Sequence, residues 1–253
     1  MRKLFGLMGY PLGHSYSKDF FTQKFQEDGL AGYTYKLFSL SNIKQFPELV
    51  MRQPDLCGLN VTIPYKREIM LYMDHLDSTA EAVGAVNCIK IRKTKGDILF
   101  KGYNTDVLGF EKSLLEFLGT EKIDRALVFG TGGSAAAVCF VLRKMGIGFT
   151  SVSRTKTDEA IGYEEITQET IATHQLLVNC TPIGMFPDVD ACPEITFKQL
   201  TTKHFCFDLV YNPAETLFLK KANETNCHTQ NGLDMLKYQA LESIAIWENT
   251  KVW

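Results

Sequence analysis

The chain has 253 residues, of which 45% are apolar and 22% charged, with a formal net charge of −2. That length allows two ordinary domains or one large α/β domain, and the near-neutral balance gives no electrostatic case for nucleic acid or an anionic membrane surface, leaving a small molecule as the expected partner. Seven scattered cysteines without a C-x-x-C pair argue against a complete disulfide framework and for reduced thiols in a cytoplasmic protein; no apolar run is long enough to span a bilayer or form a signal core.

Residues 3–9 read as a strand that runs into a turn carrying two hydroxyls, Ser15 and Ser17. A helix with the apolar face Phe20, Phe21 and Phe25 follows and ends at Asp28-Gly29. Either serine alone suits a helix N-cap; the two together, beside helix N–H groups, also suit a carboxylate. Residues 33–40 alternate as a second strand, Ser41 is expected to cap a helix through residue 51, and residues 57–63 form a third strand. In that strand Leu59, Val61 and Ile63 alternate with Asn60 and Thr62, so the two polar side chains share a face at the strand's end. Pro64 suits the first turn of a following helix, from which Lys66 emerges. Residues 60–66 also fit a capped strand-to-helix junction with a solvated lysine. This βαβα order predicts a mostly parallel sheet whose ligands gather at strand carboxyl ends.

Residues 77–83 read as a short helix, and residues 84–91 enter a strand with Asn87 polar where an apolar residue is expected. A turn at 93–96 makes a hairpin. Asn104 or Thr105 then caps a helix carrying Leu108, Phe110, Leu114, Leu115 and Leu118, with Asp106 in its first turn, where a carboxylate is often only a partner for the helix dipole. A second unit follows: the buried strand 126–129 leads into Gly130-Thr131-Gly132-Gly133-Ser134-Ala135, the G-x-G-x-x-A form of the dinucleotide turn in its strand-to-helix context. The next strand, 148–152, delivers Ser153-Arg154-Thr155-Lys156 about twenty residues beyond the glycines, where a carboxylate would read a ribose 2′-hydroxyl and an arginine a 2′-phosphate. Further strands at 176–179 and 205–209 end in Asn179-Cys180-Thr181-Pro182 and Val210-Tyr211-Asn212-Pro213. Pro213 is expected to begin a helix through about residue 221, residues 227–229 to form a last strand, and residues 232–248 a closing helix on which Met235 and Gln239 share a face.

Six of these segments, Gly13-His14-Ser15-Tyr16-Ser17, residues 60–66, residues 84–87, Asn104-Thr105-Asp106, residues 130–135 and residues 232–239, stand in the order and spacing of the shikimate dehydrogenase family, which the chain resembles from first strand to last helix. The resemblance implies an α/β fold of two domains: an α/β substrate domain (1–104) with a mostly parallel sheet, and a Rossmann-type NADP-binding domain (105–231). A C-terminal helix (232–253) would return to the first domain, and the active site would lie in the cleft. It implies NADPH-dependent, reversible reduction of 3-dehydroshikimate to shikimate in aromatic biosynthesis, with no metal, by a monomer or homodimer.

By the same resemblance Ser15 and Ser17 would hold the substrate carboxylate. Asn60, Thr62, Asn87, Asp106, Tyr211 and Gln239 would bind the ring and its hydroxyls, and Lys66 and Asp106 would be the catalytic pair. Gly130, Thr131, Gly132, Gly133, Ser134, Ala135, Ser153, Arg154, Thr155, Leu209, Gly232 and Met235 would line the cofactor. Lysine fits a reaction that adds or removes a hydroxyl proton as hydride moves, whether it transfers that proton or orients the substrate. Lys18, Cys88, Val107, Ala136 and Asp234 stand where the family commonly has proline, threonine, glycine, a basic residue and glycine, and the last two put cofactor affinity more in question than substrate binding. Alternatives are a quinate or NAD-using relative, a catalytically idle cofactor-binding protein, and a folate-type dehydrogenase on a similar plan.

Overall fold

The computed structural model describes residues 2–13 and 16–249, and the chain forms two compact units, Met1–Thr105 with Gln239–Trp253, and Asp106–Tyr238. The second division therefore falls inside the closing helix rather than at residue 231.

The first unit contains β1 (Lys3–Gly9), α1 (Tyr16–Glu27), β2 (Tyr33–Ser39), α2 (Phe46–Arg52), β3 (Leu56–Val61), β4 (His75–Leu76), α3 (Ser78–Val83), β5 (Cys88–Lys93) and β6 (Ile98–Tyr103). Its sheet has the order β2-β1-β3-β5-β6-β4. Strands β2, β1 and β3 run parallel, as do β6 and β4, whereas β5 is antiparallel to both neighbours. β1 is a central strand buried almost throughout, which is why it reads as a continuous apolar run. Its alternating side chains feed two cores: Leu4 and Met8 pack with Phe46, Val50, Leu59 and Ile89, while Phe5 and Leu7 pack with Phe21, Phe25, Tyr35 and Trp247. The edge strand β2 alternates instead.

The second unit contains α4 (Asp106–Leu118), β7 (Arg125–Phe129), α5 (Gly133–Lys144), β8 (Gly148–Ser153), β9 (Ile161–Gly162), α6 (Gln168–Thr173), β10 (Leu176–Asn179), β11 (Phe205–Asp208), α7 (Leu217–Asn223), β12 (His228–Gln230) and the start of α8 (Leu233–Glu248). Its sheet is parallel throughout, in the order β12-β11-β10-β7-β8-β9. Renumbered from β7, that is the 3-2-1-4-5-6 order of a doubly wound dinucleotide-binding sheet, with its reversal between β7 and β10. Phe205 and Phe207 of β11 meet Phe117 and Phe110 of α4 edge to face at 5.4 and 5.2 Å, while Cys206 between them joins the core with Leu127, Phe129 and Phe218.

Several local expectations give way to tertiary context. Asn42, not Ser41, caps the segment after β2: its side chain accepts from Lys44 N at 2.9 Å and Gln45 Oε1 accepts from Asn42 N at 3.3 Å, closing a 3-10 turn before α2. β3 ends at Val61, and Pro64 lies in a turn that leads to the 3-10 helix Glu68–Tyr72, not in an α-helix. Pro213 likewise lies in a turn, and α7 begins only after Thr216, whose hydroxyl accepts from Leu219 N. β4, β9 and α6 are too short to show a period.

Candidate active site

In the first unit, Asn60 lies at the carboxyl end of β3, buried, with both ends of its amide engaged. Tyr35 Oη donates to its Oδ1 at 2.9 Å, and its Nδ2 donates to Ser243 Oγ at 2.8 Å. Ser243 in turn donates to the Gln239 carbonyl one turn earlier in α8, at 2.9 Å. Asn87 stands just before β5, where Val61 N binds its carbonyl at 2.8 Å. Its Oδ1 accepts from Thr105 N at 2.6 Å and its Nδ2 donates to Thr105 Oγ1 at 3.0 Å. Thr105 also reaches Gln239 Oε1 at 3.4 Å. Three amide side chains from β3, the start of β5 and α8 are thus tied into one buried polar group, satisfied largely by Tyr35, Thr105 and Ser243. A buried network of this kind fixes its members tightly because each lost partner would leave a desolvated amide.

Lys66 stands in the turn after β3. Its carbonyl accepts from Val86 N at 2.7 Å, beside Asn87, and the neighbouring Tyr65 is buried with its hydroxyl on the Leu40 carbonyl at 2.5 Å. Asp106, buried at the start of α4, follows Thr105 directly in the chain, so the Asn87–Thr105 bonds fix the backbone on which it is carried. Thr62, half-buried, continues the line of β3 with its N–H on the Met8 carbonyl at 2.9 Å. Ser17 is buried in the first turn of α1; Ser15 lies outside the described residues.

In the second unit, Gly130 leaves β7 with φ +106°, a conformation that favours glycine, and a Cβ there would stand 3.1 Å from Thr181 Cγ2. Thr131 and Gly132 are exposed and Gly133 and Ser134 half-exposed, with Ala135 turned into the core. Gly132 caps α5 without a side-chain hydrogen bond, and no heavy atom lies within 4 Å of where its Cβ would be. An open helix N-terminus whose cap supplies no acceptor of its own suits a pyrophosphate. Arg154 and Thr155 are exposed past the end of β8, in a turn closed by the Ser153 hydroxyl on the Thr155 carbonyl. Lys156, next in this turn, pairs with Glu165 at 2.6 Å. Leu209 and Tyr211 are half-buried after β11, while Gly232 and Met235 are buried around the start of α8.

Tyr35, Thr105 and Ser243 are the site residues that sequence reasoning passed over. Ser243 had a signal, since it lies four residues after Gln239 on the same helix face; Tyr35 sits at an inward position of β2. Among the described residues there is no cluster of side chains able to hold a metal ion, and no helix is long and apolar enough to cross a membrane. All seven cysteines are free.

Comparison with known proteins agrees with this geometry. Residues 7–89 match the model of the shikimate dehydrogenase substrate-binding domain. The NADP(+) shikimate dehydrogenase of Methanococcus aeolicus is 37% identical over 265 residues, covering 98% of this chain and 93% of that protein. A shikimate dehydrogenase crystallised with NADP+ superposes with a TM-score of 0.84 at 33% identity, covering 98% of this chain and 91% of the other. The Thermus thermophilus shikimate 5-dehydrogenase, solved with NADP(H) and shikimate, does so with a TM-score of 0.84 at 27% identity, over 97% and 93% of the two chains. With a curated relative above one-third identity along nearly its whole length, and the polar group and dinucleotide turn in place, the chain belongs to the shikimate dehydrogenase family.

Proposed function

We propose that the protein catalyses the reversible reduction of 3-dehydroshikimate to shikimate with NADPH, as a cytoplasmic enzyme of aromatic biosynthesis. The observation that carries this reading is the hydrogen-bonded Asn60–Asn87–Thr105–Gln239 group, with Lys66 tied beside Asn87 and Asp106 next in the chain after Thr105. It offers amide groups to a polyhydroxylated ring and an amine and a carboxylate to one reacting hydroxyl. NADPH, when bound, supplies the hydride that adds to the carbonyl carbon. Lys66 gives its ammonium proton to the carbonyl oxygen as that bond forms, and in the oxidative direction the neutral amine takes the hydroxyl proton back. Asp106 accepts a hydrogen bond from the same hydroxyl. Asn60, Thr62, Asn87, Tyr211 and Gln239 hold the ring. An assay of shikimate oxidation with NADP and NAD tests the whole reading: no turnover with either cofactor would overturn it.

Ser15 and Ser17 anchor the substrate carboxylate in this reading. Replacing both with alanine is expected to raise KM for shikimate far more than KM for NADP. Turnover of a shikimate ester as fast as the acid would show that no carboxylate is being held.

Arg154 sets cofactor choice. A guanidinium can hold a 2′-phosphate by two parallel charge-assisted hydrogen bonds, with the Thr155 or Ser153 hydroxyl in support. At about 1.5–3 kcal/mol for each such bond, NADP is expected to exceed NAD by at least about an order of magnitude in kcat/KM. Arg154→Ala should erase much of that preference and leave NAD turnover nearly unchanged. Equal losses with both cofactors would remove Arg154 from this role.

A further inference from the structure

The buried carboxylate of Asp208 lies outside every role assigned so far, at the carboxyl end of β11 with no exposed surface. Its Oδ1 accepts from Asn179 Nδ2 at 2.9 Å and from Val210 N at 3.0 Å, and its Oδ2 accepts from Thr216 Oγ1 at 2.6 Å. These donors come from three segments: the end of β10, the loop after β11, and the cap of α7. Each leads onward. Asn179 Oδ1 accepts from Thr181 N at 3.0 Å and Thr181 Oγ1 at 2.6 Å, and Thr181 is the residue that packs against Gly130 in the dinucleotide turn. The Val210 carbonyl accepts from Gly232 N at 3.2 Å, and Gly232 lies so close beneath Leu209 that a Cβ would stand 2.1 Å from the Leu209 carbonyl oxygen. The crevice between β7 and β10 is where the strand order reverses, and in such sheets the ligand lies outside the carboxyl ends at that point. Asp208 is therefore bonded to the loops on one side of that crevice without reaching into it.

We propose that Asp208 is a positioning residue for the dinucleotide site: its carboxylate fixes the loops after β10 and β11, and through them the Thr181 flank of the Gly130 turn and the Leu209 seat of Gly232. The inference rests on the NADP reading above. Ionisation here is opposed by the surroundings, since burial pushes the carboxyl up to about 6 against the pull of Thr216, Val210 and Asn179. A hydrophobic residue at this place would avoid that desolvation but would leave Asn179 Nδ2, Val210 N and Thr216 Oγ1 without their acceptor. An acceptor facing three converging donors is what a carboxylate supplies and an amide does not: in Asp208→Asn one of the two terminal atoms becomes a donor, and it faces either the Thr216 hydroxyl or the Asn179 and Val210 N–H groups.

The test measures NADPH affinity directly, by the fluorescence of the reduced nicotinamide at pH 8, alongside steady-state kinetics. Asp208→Asn is expected to raise the NADPH dissociation constant about tenfold, the scale of one lost charge-assisted hydrogen bond, with KM for shikimate changed by less than about twofold. Thr216→Val, which removes one donor and keeps the volume, is expected to act in the same direction and to add little to Asp208→Asn in the double variant, because the two share one interaction; it also serves if Asp208→Asn does not fold. Ile171→Val, a fully buried change in the same unit, is the control for stability alone and should lower Tm with NADPH affinity unchanged. NADPH binding by Asp208→Asn and Thr216→Val as tight as by the unmutated protein overturns the inference, as does an equal loss of affinity in Ile171→Val at a similar Tm. If the unmutated protein binds no NADPH, the cofactor reading falls and this inference with it.

Discussion

Lys66→Ala is expected to lower kcat by about two orders of magnitude or more while leaving the protein folded, the usual scale for a general acid–base group. The variant should fold because what ties residue 66 to its surroundings on the backbone is its carbonyl, which accepts from Val86 N at 2.7 Å and is indifferent to the side chain. The turn is held besides by buried Tyr65. What the substitution removes is the amine proposed to exchange a proton with the reacting oxygen, and no other lysine or histidine shares the turn from 62 to 66. A fall in kcat with KM for shikimate little changed is the signature of a group needed in the transition state, whereas a rise in KM with kcat preserved would mean that Lys66 mainly orients the ring. Circular dichroism confirms the fold, and single-turnover reduction of 3-dehydroshikimate separates the chemical step from product release. A folded Lys66→Ala protein with near-normal kcat would sink the assignment.

The residues that carry this argument differ in how far the sequence announces them. Asn87 stands out because it puts an amide where the strand pattern calls for an apolar residue, Asn60 because it shares a polar face with Thr62 at a strand's end, and the Gly130 turn because strand, glycines and helix follow one another within a few positions. Their supports are another matter. Asn60 is held by Ser243, 183 positions away, and by Tyr35; nothing local in a strand specifies which distant hydroxyl will satisfy its amide. The same holds for charge. Lys156 reads as part of a basic turn until Glu165, nine positions on, pairs with it. Proline misled twice for one reason: its fixed φ suits a helix's first turn and a β-turn equally, and at Pro64 and Pro213 the loops that shape strand ends decide for the turn. The closing helix is correctly expected as an element, but it belongs to the second unit up to Tyr238 and to the first from Gln239, a division that no helical period reveals.

That first-unit half of α8 is where stability and the proposed substrate site meet, and Trp247→Ala is expected to cost both. Trp247 is buried, stacked on Phe5 with ring centroids 4.6 Å apart and tilted against Phe21 at 5.5 Å. Its indole N–H donates to the Ile89 carbonyl at 3.0 Å. Truncation would leave a cavity among these rings and remove the indole's bond to the Ile89 carbonyl, so the unfolding free energy should fall by about 3–5 kcal/mol, the range for losing a large aromatic side chain from a core. Trp247→Phe would keep ring packing and lose chiefly the hydrogen bond, at about 1 kcal/mol. The functional consequence follows from the helix itself. Gln239, Ser243 and Trp247 recur every fourth residue, so they share one face, and the indole is the apolar anchor that presents the other two to Thr105 and Asn60. With the anchor gone, KM for shikimate should rise in a protein still folded at low temperature, while NADPH affinity, proposed to rest on the glycine turn and Arg154, should hold. Urea denaturation of both variants, paired with KM for each substrate, decides it. A loss below about 1 kcal/mol in Trp247→Ala would mean that the rings repack around the gap, and an equal rise in both KM values would mean that the helix does not serve the shikimate site in particular.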